Sequence, residues 1–424
     1  MRRSVTLLVV GLLGLGMSVG TAYAAPSTER ASVSSAGAQG NDDSGNPAIS
    51  GSGRYVAFQS GATNLVPGDN GAGFDVFVWD RVAGTTSLAS VALGGGYANG
   101  GSSEPNLSAD GRYVTFSSSA SDLVAGDTNG QSDVFVRDLV AGTTVLVTPG
   151  GNGFSGRPGI SPSGRYVAFI AGASNLVAGD TNGVADAFVA DLTTGAIARV
   201  SLSTAGVQGN AEAYAMPTAV SDNGRVVFRS GATNLVADDT NGRWDLFVRD
   251  TLAGTTVRAN LNSSGAQTQG DVFDESISAD GRYVSFASYA TDLVGGPFVG
   301  GPEVYVRDLQ LGATSKASVG PAAANGWSDQ SSVSPNGRYV TFRSVASNLV
   351  AGDTNETADV FLRDRQAATT TRVSVSTSGA QITSGIGNGF PTVSDDGVVA
   401  FASDAANLVA GDSNNADDIF VRTR

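Results

Sequence analysis

The sequence contains no cysteine and no histidine, and Lys316 is its only lysine. Without cysteine there is no disulfide, and without both residue types Ser-His-Asp triads, Cys-His pairs and histidine-ligated zinc sites are excluded. The formal net charge is −14. Because nucleic acids and anionic membranes are bound through clustered lysine and arginine, this acidic composition argues against both as partners.

The first 24 residues have the pattern of a cleaved secretory signal peptide. Residues 1–3 form a short basic start, residues 5–15 are mostly apolar, and residues 22–24 supply small side chains at a cleavage point. The apolar run is too short for a membrane span, which takes about twenty residues. We therefore expect export to the periplasm, cell envelope or medium, with no membrane insertion after cleavage, as a monomer.

An internal repeat extends over the whole mature chain, residues 25–424. A Gly-Arg-Tyr-Val-x-Phe segment or a variant of it occurs seven times, with copies 53 to 60 residues apart. Regular self-similarity of this length is typical of repeat architectures, in which each copy is one supersecondary unit. The copies begin at Gly53, Gly111, Gly164, Gly224, Gly281, Gly337 and Gly397.

Each copy is predicted to form four strands. A first strand, preceded in several copies by a proline such as Pro105, leads into an Asp-Gly or Asn-Gly turn such as Asp110-Gly111. The second strand is the Arg-Tyr-Val segment, the third is an apolar run such as residues 133–138, and the fourth is more polar, as in residues 199–203. Four-stranded units repeated radially form a β-propeller.

The two ends of the chain indicate how the ring closes. Residues 418–422 match the third strand of the seventh copy, and residues 29–34 match the fourth strand that this copy lacks. We therefore predict an all-β, seven-bladed propeller in one domain, residues 25–424, with the N-terminal strand completing the last blade. An open β-solenoid is the alternative, but it gives no reason for a split last repeat.

The repeats resemble the WD40-like (PD40) propeller repeats of the TolB type. The resemblance rests on Ser-Ala-Asp-Gly-Arg-Tyr-Val-x-Phe, from Ser108 and Ser278, and on Asp-Val-Phe-Val-Arg-Asp at residues 133–138, and it covers all seven copies. It implies a periplasmic or extracellular binding scaffold. TolB has six blades and an additional α/β domain, whereas this sequence has seven copies and no segment for that domain, so TolB's own partners are not carried over.

An acidic motif, Asp-x-Asn-Gly-x-x-Asp or a variant of it, connects the second and third strands in five of the copies. Alternate oxygen-bearing side chains in a tight loop suit Ca²⁺, which would serve as a structural ion. The same residues also cap their own turns through backbone hydrogen bonds, so both interpretations stay open. The candidate ligands are Asp127, Asn129, Asp133, Asp180, Asn182, Asp186, Asp239, Asn241, Asp245, Asp353, Asn355, Asp359, Asp412, Asn414 and Asp418.

The loops from each fourth strand to the next first strand vary most, which is typical of a binding face. Six of them carry an aromatic residue, and a ring of aromatics at the channel mouth would stack a sugar or an extended peptide. The same side chains would also serve as packing wedges between blades, and this alternative is favoured. The six residues are Tyr97, Phe154, Tyr214, Phe273, Trp327 and Phe390.

The function predicted from these features is a binding scaffold for a protein, peptide or glycan at the channel-mouth face, with calcium as the only expected cofactor. The alternative is a carboxylate-dependent glycan hydrolase, since paired acids alone cleave glycosidic bonds. A purely structural envelope role is a third interpretation. The catalytic candidates are acids that break the repeat pattern: Glu104, Glu212, Asp274, Glu275 and Asp329.

Overall fold

The computed structural model describes residues 25–424 except residues 70, 72, 217, 218, 298 and 388. These residues form seven four-stranded antiparallel sheets, which are the blades of a closed propeller. The predicted signal peptide, residues 1–24, lies outside the described residues. Within the part of the chain that is described, no helix is long and apolar enough to cross a membrane.

The first four blades follow one another in chain order, and the strands of each blade pair consecutively from the channel outward. Their strands are β2 (Ser44–Ile49), β3 (Tyr55–Ser60), β4 (Asp75–Asp80) and β5 (Thr85–Leu88); β6 (Ser102–Leu107), β7 (Tyr113–Ser118), β8 (Asp133–Asp138) and β9 (Thr143–Leu146); β10 (Ser155–Ile160), β11 (Tyr166–Ala171), β12 (Asp186–Asp191) and β13 (Ala196–Arg199); β14 (Ala213–Tyr214), β15 (Arg225–Ser230), β16 (Asp245–Asp250) and β17 (Thr255–Arg258).

Blades five and six repeat this order, and blade seven combines the two ends of the chain. Their strands are β18 (Val272–Ile277), β19 (Tyr283–Ser288), β20 (Glu303–Asp308) and β21 (Ala313–Lys316); β22 (Ser328–Val333), β23 (Tyr339–Ser344), β24 (Asp359–Asp364) and β25 (Thr369–Arg372); β26 (Thr392–Val393), β27 (Val399–Ser403), β28 (Asp418–Arg422) and β1 (Thr28–Arg30).

The closure predicted from the sequence is confirmed. Strand β1 pairs antiparallel with β28, with Glu29 opposite Val421, and so supplies the fourth strand of blade seven. The outer strands lie earlier in the chain than predicted: β13 is Ala196–Arg199 and shares only Arg199 with the predicted segment 199–203. The chain turns there because Ser203 N–H donates to the Val207 carbonyl (2.8 Å) in a turn that contains the left-handed Gly206.

The core of each blade contains one aromatic pair that faces across the second and third strands. In the first blade Phe58 lies directly opposite Phe77, both are fully buried, and their ring centroids are 5.9 Å apart. The same positions form a pair in every other blade, with centroids 5.6 to 5.9 Å apart. Such pairs stabilise beyond their buried area by about 0.5–1.5 kcal/mol.

The Asp-Gly turns also bring neighbouring blades into contact. Gly111 has a left-handed backbone (φ 76°), and a Cβ atom there would lie 2.1 Å from Cδ2 of Tyr55 in the preceding blade. Glycine is therefore required twice, for the turn and for the approach of the tyrosine ring. Gly164 over Tyr113 and Gly337 over Tyr283 repeat the arrangement, so the Gly-Arg-Tyr segment makes this contact at three of the blade boundaries.

Candidate functional site

The innermost strand of five blades contains a β-bulge in which one polar residue adopts a left-handed backbone. Their φ angles lie between 50° and 58°, and the strand register shifts at each of them. Left-handed backbone is uncommon outside glycine, and bulges redirect side chains. The equivalent register places these residues at one level of the channel. They are called the channel belt: Asn46, Glu104, Arg157, Asp274 and Gln330.

The channel belt is connected by hydrogen bonds that cross blade boundaries. Glu104 N–H donates to Gln59 Oε1 (3.0 Å), and Arg157 N–H donates to Glu104 Oε2 (2.9 Å). In the same way Gln330 N–H donates to Asp274 Oδ2 (2.7 Å). The bulge turns each of these N–H groups towards a side chain of the preceding blade, which satisfies it and fixes polar groups around the channel.

Blades four and seven break the symmetry of the ring. Between equivalent pairing positions, residues 213–220 and residues 386–393 are each two residues longer than Ser44–Ile49 of blade one. Their innermost strands are correspondingly reduced to two residues. The longer segments bring Met216 and Phe390 to the channel wall.

A cavity of about 220 Å³ lies in the channel between the belt and these two apolar side chains. We call it the channel cavity. Every innermost segment of the ring contributes to its wall, which combines apolar surface with a few charged groups, as binding cavities do. It is lined by Asn46, Pro47, Glu104, Pro105, Asn106, Arg157, Met216, Asp274, Glu275, Ser331, Ser332, Phe390 and Thr392.

Glu275 is the most unusual group in the cavity wall. It is 1% exposed, and neither of its carboxyl oxygens accepts a hydrogen bond from another described residue. Burial raises the pKa of Glu275 to about 7, and the charge of Asp274 adds to this rise, while Arg229 and Arg157 oppose it. A buried carboxyl group without a donor is costly, and groups of this kind are found preferentially at functional sites.

Asp274 precedes it on the same strand and is held more firmly. Its carboxylate accepts the Gln330 N–H, and its carbonyl accepts the Ser331 hydroxyl at 2.9 Å. Burial raises the pKa of Asp274 to about 6, and the charge of Asp329 adds to this rise. Two adjacent acids with raised pKa values therefore face one small cavity.

Three of the five acids predicted as catalytic candidates share this cavity: Glu104, Asp274 and Glu275. The other two are engaged elsewhere, because Asp329 forms an ion pair with Arg343 (2.8 Å) and Glu212 accepts the Tyr214 hydroxyl (3.1 Å). Glu275 stands at the strand position that proline occupies in the first three blades, a substitution that could have distinguished it from the other four candidates.

The six predicted aromatic residues lie in different environments. Phe390 lines the channel cavity. Tyr97 instead packs edge-on against Phe77 (centroids 6.5 Å apart) and donates its hydroxyl hydrogen to the Val66 carbonyl (2.9 Å). Phe154 is 45% exposed, so these three residues lie in three different environments.

The other three aromatic residues contact rings or guanidinium groups. Tyr214 lies below Arg157 and Arg229, whose Cζ atoms are 5.9 and 5.6 Å from its ring centroid. Phe273 packs against a tyrosine ring with centroids 5.5 Å apart. Trp327 is covered by Arg343 at 5.2 Å. Each ring therefore has a partner within the protein.

In four of the acidic loops an arginine from the fourth strand lies between the two aspartates. In blade three, Nη1 of Arg199 is 3.2 Å from both Asp180 and Asp186. The guanidinium group thus occupies the place that a cation would take. The same arrangement recurs with Arg258 at Asp239 and Asp245, Arg372 at Asp353 and Asp359, and Arg30 at Asp412 and Asp418.

The loop of blade two lacks this arginine. Leu146 lies opposite Phe135 where Arg199 lies opposite Phe188 in blade three. Burial raises the pKa of Asp127, and the charge of Asp133 adds to the rise. Asn129 donates to Asp133 (2.7 Å) and accepts the N–H two residues further on (2.9 Å), which is an Asx turn.

The loop of blade two therefore presents two carboxylates with no basic side chain between them. No group of three or more acidic side chains suited to a metal assembles within the described residues.

Searches with protein-family models and among curated proteins find no match. Among solved structures, TolB from Acinetobacter baumannii is 15% identical, with a TM-score of 0.40 over 78% of this chain and 62% of that one, less than two thirds of its length. An oligogalacturonate lyase in complex with manganese is 13% identical, with a TM-score of 0.53 over 93% and 92% of the two chains. An oligogalacturonate lyase from Vibrio parahaemolyticus is 12% identical, with a TM-score of 0.50 over 90% of each.

The chain is a seven-bladed β-propeller. At these identities the likeness extends to the fold alone. The channel cavity is lined by all seven blades, including the two that depart from the repeat and blade five with its two acids.

Proposed function

We propose that this protein is an exported propeller scaffold that binds its ligand in the channel cavity, at the face that carries the fourth-to-first strand loops. The observation that carries the proposal is Glu275, a buried carboxyl group in the cavity wall with no hydrogen-bond donor from another residue. A bound ligand that supplies this donor would remove the cost of burying it. Export is supported by the signal-peptide pattern of residues 1–24.

The size of the cavity limits what enters it. About 220 Å³ is below the usual range for drug-sized ligands, roughly 300–1,000 Å³. We therefore propose that only a terminal group of a protein, peptide or glycan partner occupies the cavity, while the loops around it contact the rest. Exposed Phe154 would belong to that outer surface.

We also propose calcium binding, but only at one of the acidic loops. An Asp pair that already encloses a guanidinium group offers a cation little additional stabilisation, which disfavours the loops of blades three, four, six and seven. The blade-two loop, with Asp127, Asn129 and Asp133, has Leu146 in place of the arginine and is the candidate that remains. Bound Ca²⁺ would rigidify this loop.

A fragment screen by ligand-observed NMR tests the binding proposal. The mature chain, residues 25–424, is screened against small organic cations, anions and neutral polyols. Met216→Trp fills the cavity with a larger side chain, and Leu252→Trp is the control, since Leu252 is 74% exposed in a turn on the opposite face. We expect at least one class to bind the wild type and the control but not Met216→Trp. Equal binding to all three proteins, or none to any, would contradict the proposal.

The second candidate function is carboxylate-dependent glycan hydrolysis, because Glu104, Asp274 and Glu275 share one cavity. In this case a panel of polysaccharides would release reducing ends, and the release would be abolished by Glu104→Gln or Glu275→Gln. Saturable binding without turnover would exclude the hydrolase and leave the scaffold.

A further inference from the structure

The charges in the channel cavity do not balance. Its wall contains three carboxyl groups, those of Glu104, Asp274 and Glu275, against the single guanidinium group of Arg157. That guanidinium lies 3.9 Å from Glu104, so these two charges largely offset each other. The wall is left with the Asp274–Glu275 pair as its uncompensated charge.

The basic side chains near this pair do not neutralise it. Arg343 is committed to Asp329 at 2.8 Å. Arg229 lowers the pKa of Glu275 through its charge, but it stacks on Tyr214 and comes within ion-pair distance of no acid in the described residues. Glu275 therefore has no direct ion pair and no hydrogen-bond donor among the described residues, and Arg229 acts on it only through its charge at longer range.

The remainder of the wall is apolar and partly aromatic. Phe390, Met216, Pro47 and Pro105 face the same cavity. An aromatic face attracts a cation within about 6 Å, and a thioether is polarisable and adapts its shape to an alkyl chain. A small cavity whose wall combines carboxylates with apolar groups suits a ligand with a charged head and an alkyl stem.

We propose that the channel cavity binds an alkylammonium or alkylguanidinium group, with Glu275 and Asp274 as its carboxylate partners and Phe390 and Met216 against its alkyl stem. This inference rests on the proposed function and specifies its ligand. Such a group supplies the missing donors and the missing positive charge together. A neutral polyol would supply donors alone.

The test compares matched ligands by isothermal titration calorimetry at pH 8 on the mature chain. The probes are n-butylammonium, n-butylguanidinium and the neutral n-butanol. Variant Glu275→Gln keeps the side-chain volume and removes the charge. The control Asp404→Asn removes a charge at an exposed position that does not line the cavity. Thermal unfolding of each variant verifies that it is folded.

We expect both cations to bind saturably and butanol to bind at least about tenfold more weakly. Glu275→Gln should weaken cation binding by about tenfold or more, because a desolvated charge pair is lost, while Asp404→Asn changes it by less than about twofold. Equal affinity for butanol, or unchanged cation binding by Glu275→Gln, would overturn the inference.

A second arm identifies where the cation comes from. Nα-acetyl-lysine methylamide carries the ammonium group on a peptide unit, and its Nε-acetylated form is the neutral control. Binding of this compound at least as tight as that of butylammonium indicates a protein side chain, and much weaker binding indicates a free amine.

If no cation binds but another fragment class is blocked by Met216→Trp, this inference fails and the proposed function stands. If no class is blocked, both fail.

Discussion

The backbone N–H of Arg157 donates to the carboxylate of Glu104, 2.9 Å away, across the boundary between blades two and three. In this bond, as in that between Gln330 and Asp274, the bulge of the next blade directs a backbone N–H towards the carboxylate. Glu275 lies in the same channel without such a donor. The difference separates an acid that is bonded across a blade boundary from a buried acid that has no donor among the described residues.

The first prediction concerns pH. The pKa of Glu275 is raised from 4.5 to about 7 by burial, so between these values the folded state binds more protons than the unfolded chain. The free energy of unfolding should therefore fall as pH rises through this window, by on the order of 3 kcal/mol from this group. Urea unfolding at pH 4.5 and pH 8 measures the change.

Glu275→Gln removes this titration and should flatten the pH dependence, with the largest gain in relative stability at pH 8. Asp404→Asn, which removes an exposed charge, should leave the wild-type slope intact. A slope in Glu275→Gln equal to that of the wild type would show that the carboxyl group is not desolvated in solution. Stabilisation together with lost cation binding would identify a residue kept for function rather than for folding.

The fold could be predicted from the sequence because every structural device recurs in it. The Asp-Gly turn, the facing phenylalanines and the apolar third strand each occur in nearly all copies, and the split last repeat predicted the closure by β1. The orientation of side chains in variable loops could not be predicted in this way. The sequence predicts comparable loops for Tyr97 and Phe390, yet one packs against Phe77 and the other lines the cavity.

The cavity is formed by positions at which the copies differ from one another. Such positions carry no repeated pattern from which the cavity could be predicted. The longer innermost segments of blades four and seven bring in Met216 and Phe390. Glu275 replaces a proline of other blades. In the acidic loops the difficulty is of another kind. Arg199 and its equivalents recur in the sequence, but their position between the aspartates depends on the pairing of β12 with β13.

The second prediction concerns calcium at the blade-two loop. Millimolar Ca²⁺ should raise the melting temperature relative to excess EDTA, since a site held at a hundred times its dissociation constant stabilises by about 2.7 kcal/mol. Asp127→Asn should abolish the shift, whereas Asp180→Asn, in a loop already occupied by Arg199, should not. An equal shift in both variants would contradict a site in blade two.

Leu146→Arg gives the converse test. It introduces the arginine that blades three, four, six and seven already contain, at the position where Leu146 faces Phe135. The new guanidinium group should pair with Asp127 and Asp133 and raise the melting temperature in EDTA. It should also remove the response to Ca²⁺. Additive stabilisation by arginine and Ca²⁺ would show that the ion binds elsewhere.

The third prediction compares two glycines with similar backbones and different surroundings. Gly111 and Gly142 have φ angles of 76° and 67°, but a Cβ atom at Gly142 would be 3.9 Å from its nearest neighbour, against 2.1 Å at Gly111. Gly142→Ala should cost only the left-handed strain, about 1–2 kcal/mol. Gly111→Ala should cost at least about 1–3 kcal/mol more, because the ring of Tyr55 must move. Equal losses of unfolding free energy in the two variants, measured with urea, would show that the ring of Tyr55 does not contact the turn closely.

The last prediction concerns the closure of the ring. Removing residues 25–34 deletes β1 and leaves the edge of β28 unpaired. It also removes the ion pairs that Arg30 forms with Asp412 and Asp418. An exposed edge strand invites pairing with other chains. We therefore expect a lower melting temperature and concentration-dependent association in size-exclusion chromatography. A synthetic peptide of residues 25–41, added in excess, should restore both properties, and a peptide with Arg30→Glu should restore them less well. A monomer of unchanged stability after the deletion would mean that β1 does not hold the ring closed.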